Sequence, residues 1–331
     1  MTLYTERQRG SNLRDFFENH AHVLSIAVFL IACCALFTSI NDVFLSPGNL
    51  LNLLRQAAPT LIVAVAMTFV ITTGGIDLSV GSIIALVNAS AALLLRAGWD
   101  WPVVSVMMLG LGAVIGLFQG YFVAYQRIPA FIVTLAGLSA IRGIALVLTG
   151  GFSILIPPGV FLSIGRGTLF GIPAPALMGL AVALLGYVVL NFTVYGRHVC
   201  AVGANAEAAR RVGIPARRVV ESVYVWSGVA AALAALVVAA RLGSGSSNAA
   251  VGTELDVIAA VVLGGTSLMG GRGTIVGTVM GALTISVISN GLILSKIDAF
   301  YTQIVTGAII LIAIWVNTRI FDQVGSVRRK S

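Results

Sequence analysis

The sequence predicts an all-α polytopic membrane protein of about ten transmembrane helices, some of them short or broken, with both termini cytoplasmic. Hydrophobic residues make up 58% of the chain and charged residues 10%. A soluble domain carries about 25% charged residues. Apolar runs recur from residue 22 to residue 318, and no long polar stretch separates them. Water is therefore not the main solvent of this chain.

The apolar runs define the predicted spans, because a helix needs about 20 apolar residues to cross the hydrocarbon core of a bilayer. The runs are 22–40, 50–72, 77–96, 101–125, 129–149, 174–195, 219–241, 254–269, 274–294 and 300–318. We interpret 1–331 as a single transmembrane domain, with tails at 1–21 and 319–331, a membrane domain at 22–318 and a cytoplasmic loop at 196–218. The first run lacks a small-residue cleavage site, so we expect it to stay as an anchor.

The basic residues predict the orientation of the spans, because Lys and Arg are retained on the cytoplasmic face. With the N-terminus inside, the cytoplasmic loops and tails contain Arg7, Arg9, Arg14, Arg127, Arg197, Arg210, Arg211, Arg217, Arg218, Arg272, Arg319, Arg328, Arg329 and Lys330. The outer loops and outer span ends keep Arg96, Arg166, Arg241 and Lys296. The net charge of +8 is thus scattered between apolar runs, which argues against nucleic-acid binding.

Two glycine-rich connections interrupt the spans. The runs GGIDLSVGS at 74–82 and GGRGTIVGT at 270–278 share the pattern GGxxxxVG followed by a hydroxyl residue. They indicate an internal repeat, for which chance similarity in tight turns is the alternative. On our span order both copies have the same orientation, whereas an inverted repeat requires opposite orientations.

The run at 254–269 is short for a crossing helix and contains a Gly-Gly pair, so it predicts a broken or half-membrane helix. Such breaks survive at membrane depth only beside protein or a water-filled cavity, which places this region next to a pathway. The predicted helix-break positions are Gly74, Gly75, Gly81, Gly264, Gly265, Gly270, Gly271 and Gly273.

The long loop between the sixth and seventh spans carries a complete set of local helix signals. Asn205 suits an N-cap, and Glu207 lies in the first turn, where the helix dipole favours an anion. Arg210 and Arg211 fall in the last turn, and Gly213 can adopt the left-handed conformation that ends a helix. The pattern predicts a cytoplasmic helix of about two turns.

A helix this short needs packing to be stable in water. The small residues Ala208 and Ala209 permit the close approach of another protein, which indicates a docking helix. An ordinary basic loop that fixes the topology is the alternative.

The sequence also resembles a known family. The segment EAARRVG at 207–213 resembles the coupling-loop motif of bacterial ABC importer permeases, the element that fits into a cleft on the ATPase subunit. The runs MTFV at 67–70, GGIDLSVGS at 74–82, IPAFIVTLAG at 128–137 and ELDVIAAVVLGGT at 254–266 resemble permeases of ribose-type sugar ABC importers. These permeases serve ribose, xylose and galactofuranose-like sugars, and the likeness extends over about residues 22–320.

The resemblance implies a pore-forming permease subunit that moves a monosaccharide across the bacterial inner membrane. It further implies ten spans, a second permease copy or paralogue, a cytoplasmic ABC ATPase and a periplasmic sugar-binding protein. No cofactor is then expected on this chain, and ATP and Mg belong to the partner ATPase. The sequence agrees, since it contains no GxxxxGK[ST] phosphate loop and predicts no catalytic residue and no metal site.

Several polar residues fall within the predicted spans, where ionisable and amide groups are costly. Asp77, Asn88, Gln119 and Asn290 are candidates for lining the pathway. A helix-capping role is favoured for Asp77, and hydrogen bonds between helices are favoured for the three amides. Residues 253–256 read as a capping box that opens the short span.

Two intramembrane arginines, Arg55 and Arg142, are expected to snorkel to the interface or to pair with a carboxylate. The sequence assigns neither of them a partner.

Two other transporter classes remain as alternatives. A branched-chain amino-acid-type ABC permease shares the architecture but lacks the run GGIDLSVGS. An ATP-independent secondary transporter requires a coupling carboxylate deep in the membrane, and Asp77 is the residue expected to serve as one. The identity of the sugar, and whether the two permeases are identical, cannot be read from the sequence.

Overall fold

The computed structural model describes residues 24–297 together with Tyr301, Ile304, Gly307, Ala308 and Leu311. The longer helices are α1 (Leu24–Ile40), α2 (Pro47–Thr72), α3 (Val80–Arg96), α4 (Trp101–Ala124), α5 (Ala130–Thr149), α7 (Ala174–Phe192), α8 (Val194–Ala204), α10 (Ala216–Leu242), α11 (Thr253–Leu263) and α12 (Ile275–Leu294). The short helices are α6 (Ser163–Arg166), α9 (Ala206–Arg211) and a 3₁₀ turn at Val160–Leu162. The short strands are β1 (Ile154–Leu155), β2 (Thr168–Leu169), β3 (Ile172–Pro173) and β4 (Ser244–Gly245).

The predicted fold class is confirmed as an all-α multi-pass membrane protein. Six helices of the described part, α2, α4, α5, α7, α10 and α12, are long and apolar enough to cross a membrane, and α1 and α3 are shorter apolar helices. Each of the first nine predicted spans coincides with a helix, although α11 ends at Leu263, before the predicted end of its span. The tenth predicted span and both tails fall wholly or largely outside the described residues.

Helix α10 is the centre of the fold and packs along α2, α3 and α4. Its closest neighbour is α4, because glycines remove the side chains between the two backbones. A Cβ at Gly112 would lie 2.3 Å from the carbonyl oxygen of Gly228, and a Cβ at Gly116 would lie 2.2 Å from that of Tyr224. Small residues are the usual means of close helix packing in membranes, where the hydrophobic effect between helices is absent.

The relative directions of the helices follow from contacts between them. Asn49 bonds to Asn290, and Thr68 bonds to Thr278, so α2 and α12 are antiparallel. The α4 contacts described above make α4 and α10 antiparallel as well. These directions agree with the alternation that the predicted order of spans requires.

The outer surface of the fold is apolar. Helices α4, α5 and α7 bury a minor part of their residues and expose large side chains such as Val106, Val147 and Leu185. A continuous apolar surface on long helices suits contact with lipid.

Two antiparallel ribbons hold the loop between α5 and α7. Strand β1 pairs with β4, which directly follows α10, and β2 pairs with β3. The ribbons and α8 were not predicted from the sequence.

Candidate functional site

Helix α9 forms where the sequence predicts a short helix, and its local structure agrees with the predicted caps. The Asn205 carboxamide oxygen accepts a hydrogen bond from the Ala208 amide at 2.9 Å, as an N-cap does. Glu207 forms ion pairs with Arg210 at 2.5 Å and with Arg211 at 3.7 Å. Because these pairs are exposed, they contribute little to stability.

The two small residues predicted to face a partner, Ala208 and Ala209, face in different directions. Ala209 is 4% exposed, and its carbonyl oxygen accepts a hydrogen bond from the Ile214 amide. Gly213 has φ +85°, which turns the chain after the helix as predicted. Ala208 and Val212 are exposed. The surface open to a partner therefore contains Ala208, while Ala209 fastens the helix to its own chain.

Helix α8 connects α9 to two breaks in the membrane helices. The Gly271 amide donates to the Thr72 carbonyl oxygen at 2.9 Å, so the end of α2 contacts the connection before α12. Gly203, near the end of α8, lies at this junction: a Cβ there would be 1.8 Å from the Thr72 oxygen and 2.6 Å from the Gly271 nitrogen. A displacement of α9 would thus reach both breaks through α8.

The predicted break glycines fall into two groups. Gly74, Gly265, Gly270 and Gly271 have positive φ angles and form the turns at the helix ends. Gly75, Gly81, Gly264 and Gly273 provide close contacts instead, since a Cβ at any of them would lie between 2.1 and 2.4 Å from a neighbouring atom. The prediction named the positions of the breaks but did not separate turning from packing glycines.

A cavity of about 270 Å³ lies between α9 and the first break. Gly74, Gly75, Arg127, Arg210 and Tyr224 are among the residues that line it. The cavity leaves room for the two elements to move relative to each other.

Asp77 is completely buried at the first break and bonds to two helices. One carboxylate oxygen accepts from the Ser79 amide and hydroxyl, at 2.9 and 2.6 Å. The other oxygen accepts from the Ser227 hydroxyl on α10 at 2.7 Å. Gln119 of α4 extends the network by donating to the Ser79 hydroxyl oxygen at 2.9 Å. The N-cap of α3 is Ser79 and no side chain caps the helix, so the capping role favoured for Asp77 is wrong. Asp77 instead lies two residues before that cap and ties Ser79 to α10.

The other pathway candidates are buried as well. The Asn88 oxygen accepts from the Ser246 amide at 2.6 Å, and its nitrogen donates to the Ala235 carbonyl oxygen at 3.5 Å. Asn290 bonds to Asn49. These contacts are the interhelical hydrogen bonds that were favoured for the amides, and pathway lining by any of the four residues stays a prediction.

The predicted capping box at 253–256 is wrong. Helix α11 begins at Thr253, its N-cap is Gly252 with φ 83°, and no side chain caps it. A glycine with a left-handed φ starts this helix, so Thr253 already lies inside its first turn.

Residues 246–252, before α11, have irregular backbone. We call them the re-entrant segment because they turn back into the fold after α10, so that Ala250 lies against Gly81 of α3. Arg142 of α5 donates to the carbonyl oxygens of Ser247 and Ala249, each at 2.8 Å. It also interacts electrostatically with Glu254. Arg142 therefore binds backbone carbonyl groups, which the sequence did not predict, and it also has the interaction with a carboxylate that one alternative expected.

Arg55 lies in a cavity of about 520 Å³ that was not predicted from the sequence. Arg166 and Arg241 line the same cavity, together with Asn52 and Gln56, and no carboxylate is among these lining residues. Arg55 Nε and one terminal nitrogen of Arg241 are buried without a hydrogen-bond partner. The cavity is therefore suited to an anionic group. The sequence contained a signal for this cavity, because Arg166 and Arg241 are exceptions to the predicted cytoplasmic bias of basic residues.

The described residues contain no group of three His, Cys, Asp or Glu side chains that could hold a metal ion.

Comparisons with known proteins place the chain in a family. The model described as "Branched-chain amino acid transport system / permease component" matches residues 49–314. The ribose import permease protein RbsC of Bacillus subtilis is 41% identical over 320 residues, which cover 96% of this chain and 99% of that protein. RbsC of Haemophilus influenzae is 40% identical over 291 residues, which cover 87% and 90%.

A further relative, the xylose transport system permease protein XylH of Haemophilus influenzae, is 34% identical over 360 residues, which cover 90% of this chain and 96% of that protein. No solved structure matches the chain. These relatives are named as transport subunits and not as enzymes. The chain belongs to the family of branched-chain amino acid transport system permease components, and it is a transport subunit.

Proposed function

We propose that this chain is the pore-forming permease subunit of an ATP-driven importer and that it carries a monosaccharide into the cytoplasm. The observation that carries the proposal is the similarity to ribose and xylose permeases over nearly the full chain. The family description names branched-chain amino acids. Relatives at about 40% identity favour sugar over amino acid as the substrate.

The permease works, on this proposal, with a cytoplasmic ABC ATPase, a second permease and a sugar-binding protein outside the membrane. It lies in the bacterial inner membrane with ten spans and both termini in the cytoplasm. ATP and Mg are held by the ATPase, and the permease itself binds no cofactor. The partner proteins can switch the pore between two conformations only if they bind those conformations with different affinities.

Uptake measurements test the substrate. The permease, the ATPase and the binding protein encoded beside it are reconstituted in proteoliposomes, and uptake of labelled ribose, xylose and leucine is followed with ATP inside. We expect ATP-dependent uptake of a monosaccharide and none of leucine. Uptake of leucine alone would support the amino-acid alternative, and uptake without the ATPase would indicate a secondary transporter.

Docking of the ATPase is proposed to use α9. Its exposed surface includes Ala208, its ends are capped, and α8 connects it to both helix breaks. We expect Ala208→Trp to abolish uptake and the stimulation of ATP hydrolysis by the permease, because the bulky side chain prevents close approach. Ala97→Trp is the matched control, since Ala97 is an exposed alanine next to the end of α3 on the opposite side of the membrane. Normal coupling in the Ala208 variant would exclude α9 as the docking element.

Docking of the binding protein is proposed to use the arginine cavity at the outer end of α10. Arg55, Arg166 and Arg241 provide positive charge without a carboxylate among the lining residues, which suits an acidic side chain of a partner. We expect Arg166→Glu to weaken binding of the binding protein to permease in nanodiscs, and the loss to shrink as salt rises. Arg96→Glu is the control, since Arg96 is an exposed arginine at the end of α3, outside the cavity. Equal binding by both variants would refute the role of the cavity.

A further inference from the structure

The re-entrant segment, 246–252, reaches the middle of the membrane domain, and contacts along α3 give its depth. Asp77 bonds to Ser227 and Asn88 bonds to Ala235, so α3 runs parallel to α10. Gly81 lies between these two contacts, level with the middle of α10. The carbonyl oxygen of Ala250 lies against Gly81, 2.8 Å from the position of a Cβ there. The segment therefore passes from the outer half of the domain to its centre.

The exposed surface of the segment is polar at this depth. Asn248 is exposed, and its carboxamide forms no hydrogen bond within the described part of the chain. Arg142 binds the carbonyl oxygens on either side of Asn248, and Glu254 interacts electrostatically with both Arg142 and Asp256. All three ionisable side chains are partly exposed. A surface with an unpaired amide, ionisable side chains and irregular backbone is not stable against hydrocarbon.

Arg142 explains how the segment is held in this shape. Its guanidinium binds the carbonyl oxygens of Ser247 and Ala249. The Thr149 hydroxyl bonds to the Ser247 hydroxyl at 2.9 Å, and the Ser246 amide bonds to Asn88. One side of the segment is thus satisfied by α3 and α5, and the Asn248 side chain remains on the other side.

We infer that the re-entrant segment lines the aqueous route of the substrate and that the Asn248 carboxamide hydrogen-bonds to hydroxyl groups of a neutral monosaccharide there. An amide supplies both a donor and an acceptor, which suits a hydroxyl group that acts as both. Arg142 is a positioning residue, because its donors are used by the segment's own carbonyl groups. The inference deepens the proposed function and rests on it for the class of ligand.

Cysteine accessibility tests the route independently of the sugar. Asn248→Cys is placed in a chain whose Cys33, Cys34 and Cys200 are replaced by Ala, and it is assembled with its partners in proteoliposomes. Leu184→Cys is the matched control, because Leu184 is 57% exposed on the apolar surface of α7. A membrane-impermeant methanethiosulfonate reagent is added with and without ATP.

We expect labelling of Asn248→Cys about a hundredfold faster than that of Leu184→Cys, because the reagent reacts with a thiolate, which forms in water and not in hydrocarbon. The transported monosaccharide should slow the labelling. Asn248→Ala should lower uptake about tenfold, the effect of one lost hydrogen bond, with normal amounts of assembled complex.

The outcomes separate the inference from the proposed function. Sugar uptake by the unaltered chain, with Asn248→Cys unlabelled in every condition, would overturn the inference and show that this surface is covered by the second permease or lipid. Labelling without protection by sugar and without loss of uptake in Asn248→Ala would overturn the sugar contact. Absence of sugar uptake by the unaltered chain would overturn the proposed function, and rapid labelling would still support the aqueous route.

Discussion

Asp77 is an ionisable residue that the fold keeps completely out of solvent, and its hydrogen bonds account for this. Both carboxylate oxygens are occupied, one by Ser79 and one by Ser227. The sequence favoured a capping role for Asp77, whereas the N-cap of α3 is Ser79. It did not indicate Ser227, because that residue lies on a helix far along the chain.

Removal of the Asp77 carboxylate should destabilise the protein. Asp77→Ala leaves the Ser227 hydroxyl without its acceptor, so we expect a loss of about 1–3 kcal/mol, and a smaller loss for Asp77→Asn. Thermal unfolding in detergent measures the change. Asp100→Ala is the control, since the Asp100 side chain forms no capping hydrogen bond with α4. Equal stability of Asp77→Ala and the unaltered protein would contradict the role of the network.

The Cys200 thiol should react slowly at neutral pH. Burial on α8 raises the pKa of the Cys200 thiol above its ordinary value of 9.0. The thiolate is the reactive form. Below the pKa, its fraction rises about tenfold for each unit by which the pH increases. In a chain with Cys33 and Cys34 replaced by Ala, we expect the alkylation rate to rise from pH 7 to beyond pH 9. A plateau below pH 9 would show that the pKa is not raised.

The helical elements differ in how well local sequence defines them. The long apolar helices were predicted because hydropathy alone selects the membrane as their environment. Helix α9 was predicted because its caps and charges are local signals. The start of α11 was assigned wrongly, since Thr253 fits a capping pattern while the conformation of Gly252 decides where the helix begins. Helix α8 was missed, because it lacks the length and hydropathy of a span.

The contact of α8 with the two breaks should be essential to the fold of this region. Gly203→Ala would place a Cβ 1.8 Å from the Thr72 carbonyl oxygen, so α8 must shift away from both breaks. We expect a loss of about 1–3 kcal/mol in stability and weaker stimulation of the ATPase. Gly110→Ala is the matched control, because a Cβ at Gly110 in α4 meets no atom within 4 Å. Equal behaviour of the two variants would mean that α8 does not transmit movement of α9.

At the scale of the whole molecule, the orientation derived from basic residues can be measured. Phe170, in the loop with the β2–β3 ribbon, is 94% exposed, and Val212, after α9, is 77% exposed. In intact cells we expect an impermeant thiol reagent to label Phe170→Cys and to label Val212→Cys only after permeabilisation. The opposite pattern would invert the predicted orientation. Reporter fusions at both termini complete the test, since both are expected in the cytoplasm.

Sequence alone predicted the membrane environment, the positions of nine helices in the described part and the capped helix α9. Each of these depends on residues that are neighbours along the chain. The packing of the helices was needed to show that the two glycine breaks meet at Gly203 and that Arg55, Arg166 and Arg241 share a cavity. It was also needed to show that the re-entrant segment brings Asn248 to a polar surface. These features join residues distant in sequence, and the packing that joins them leaves no local periodicity to read.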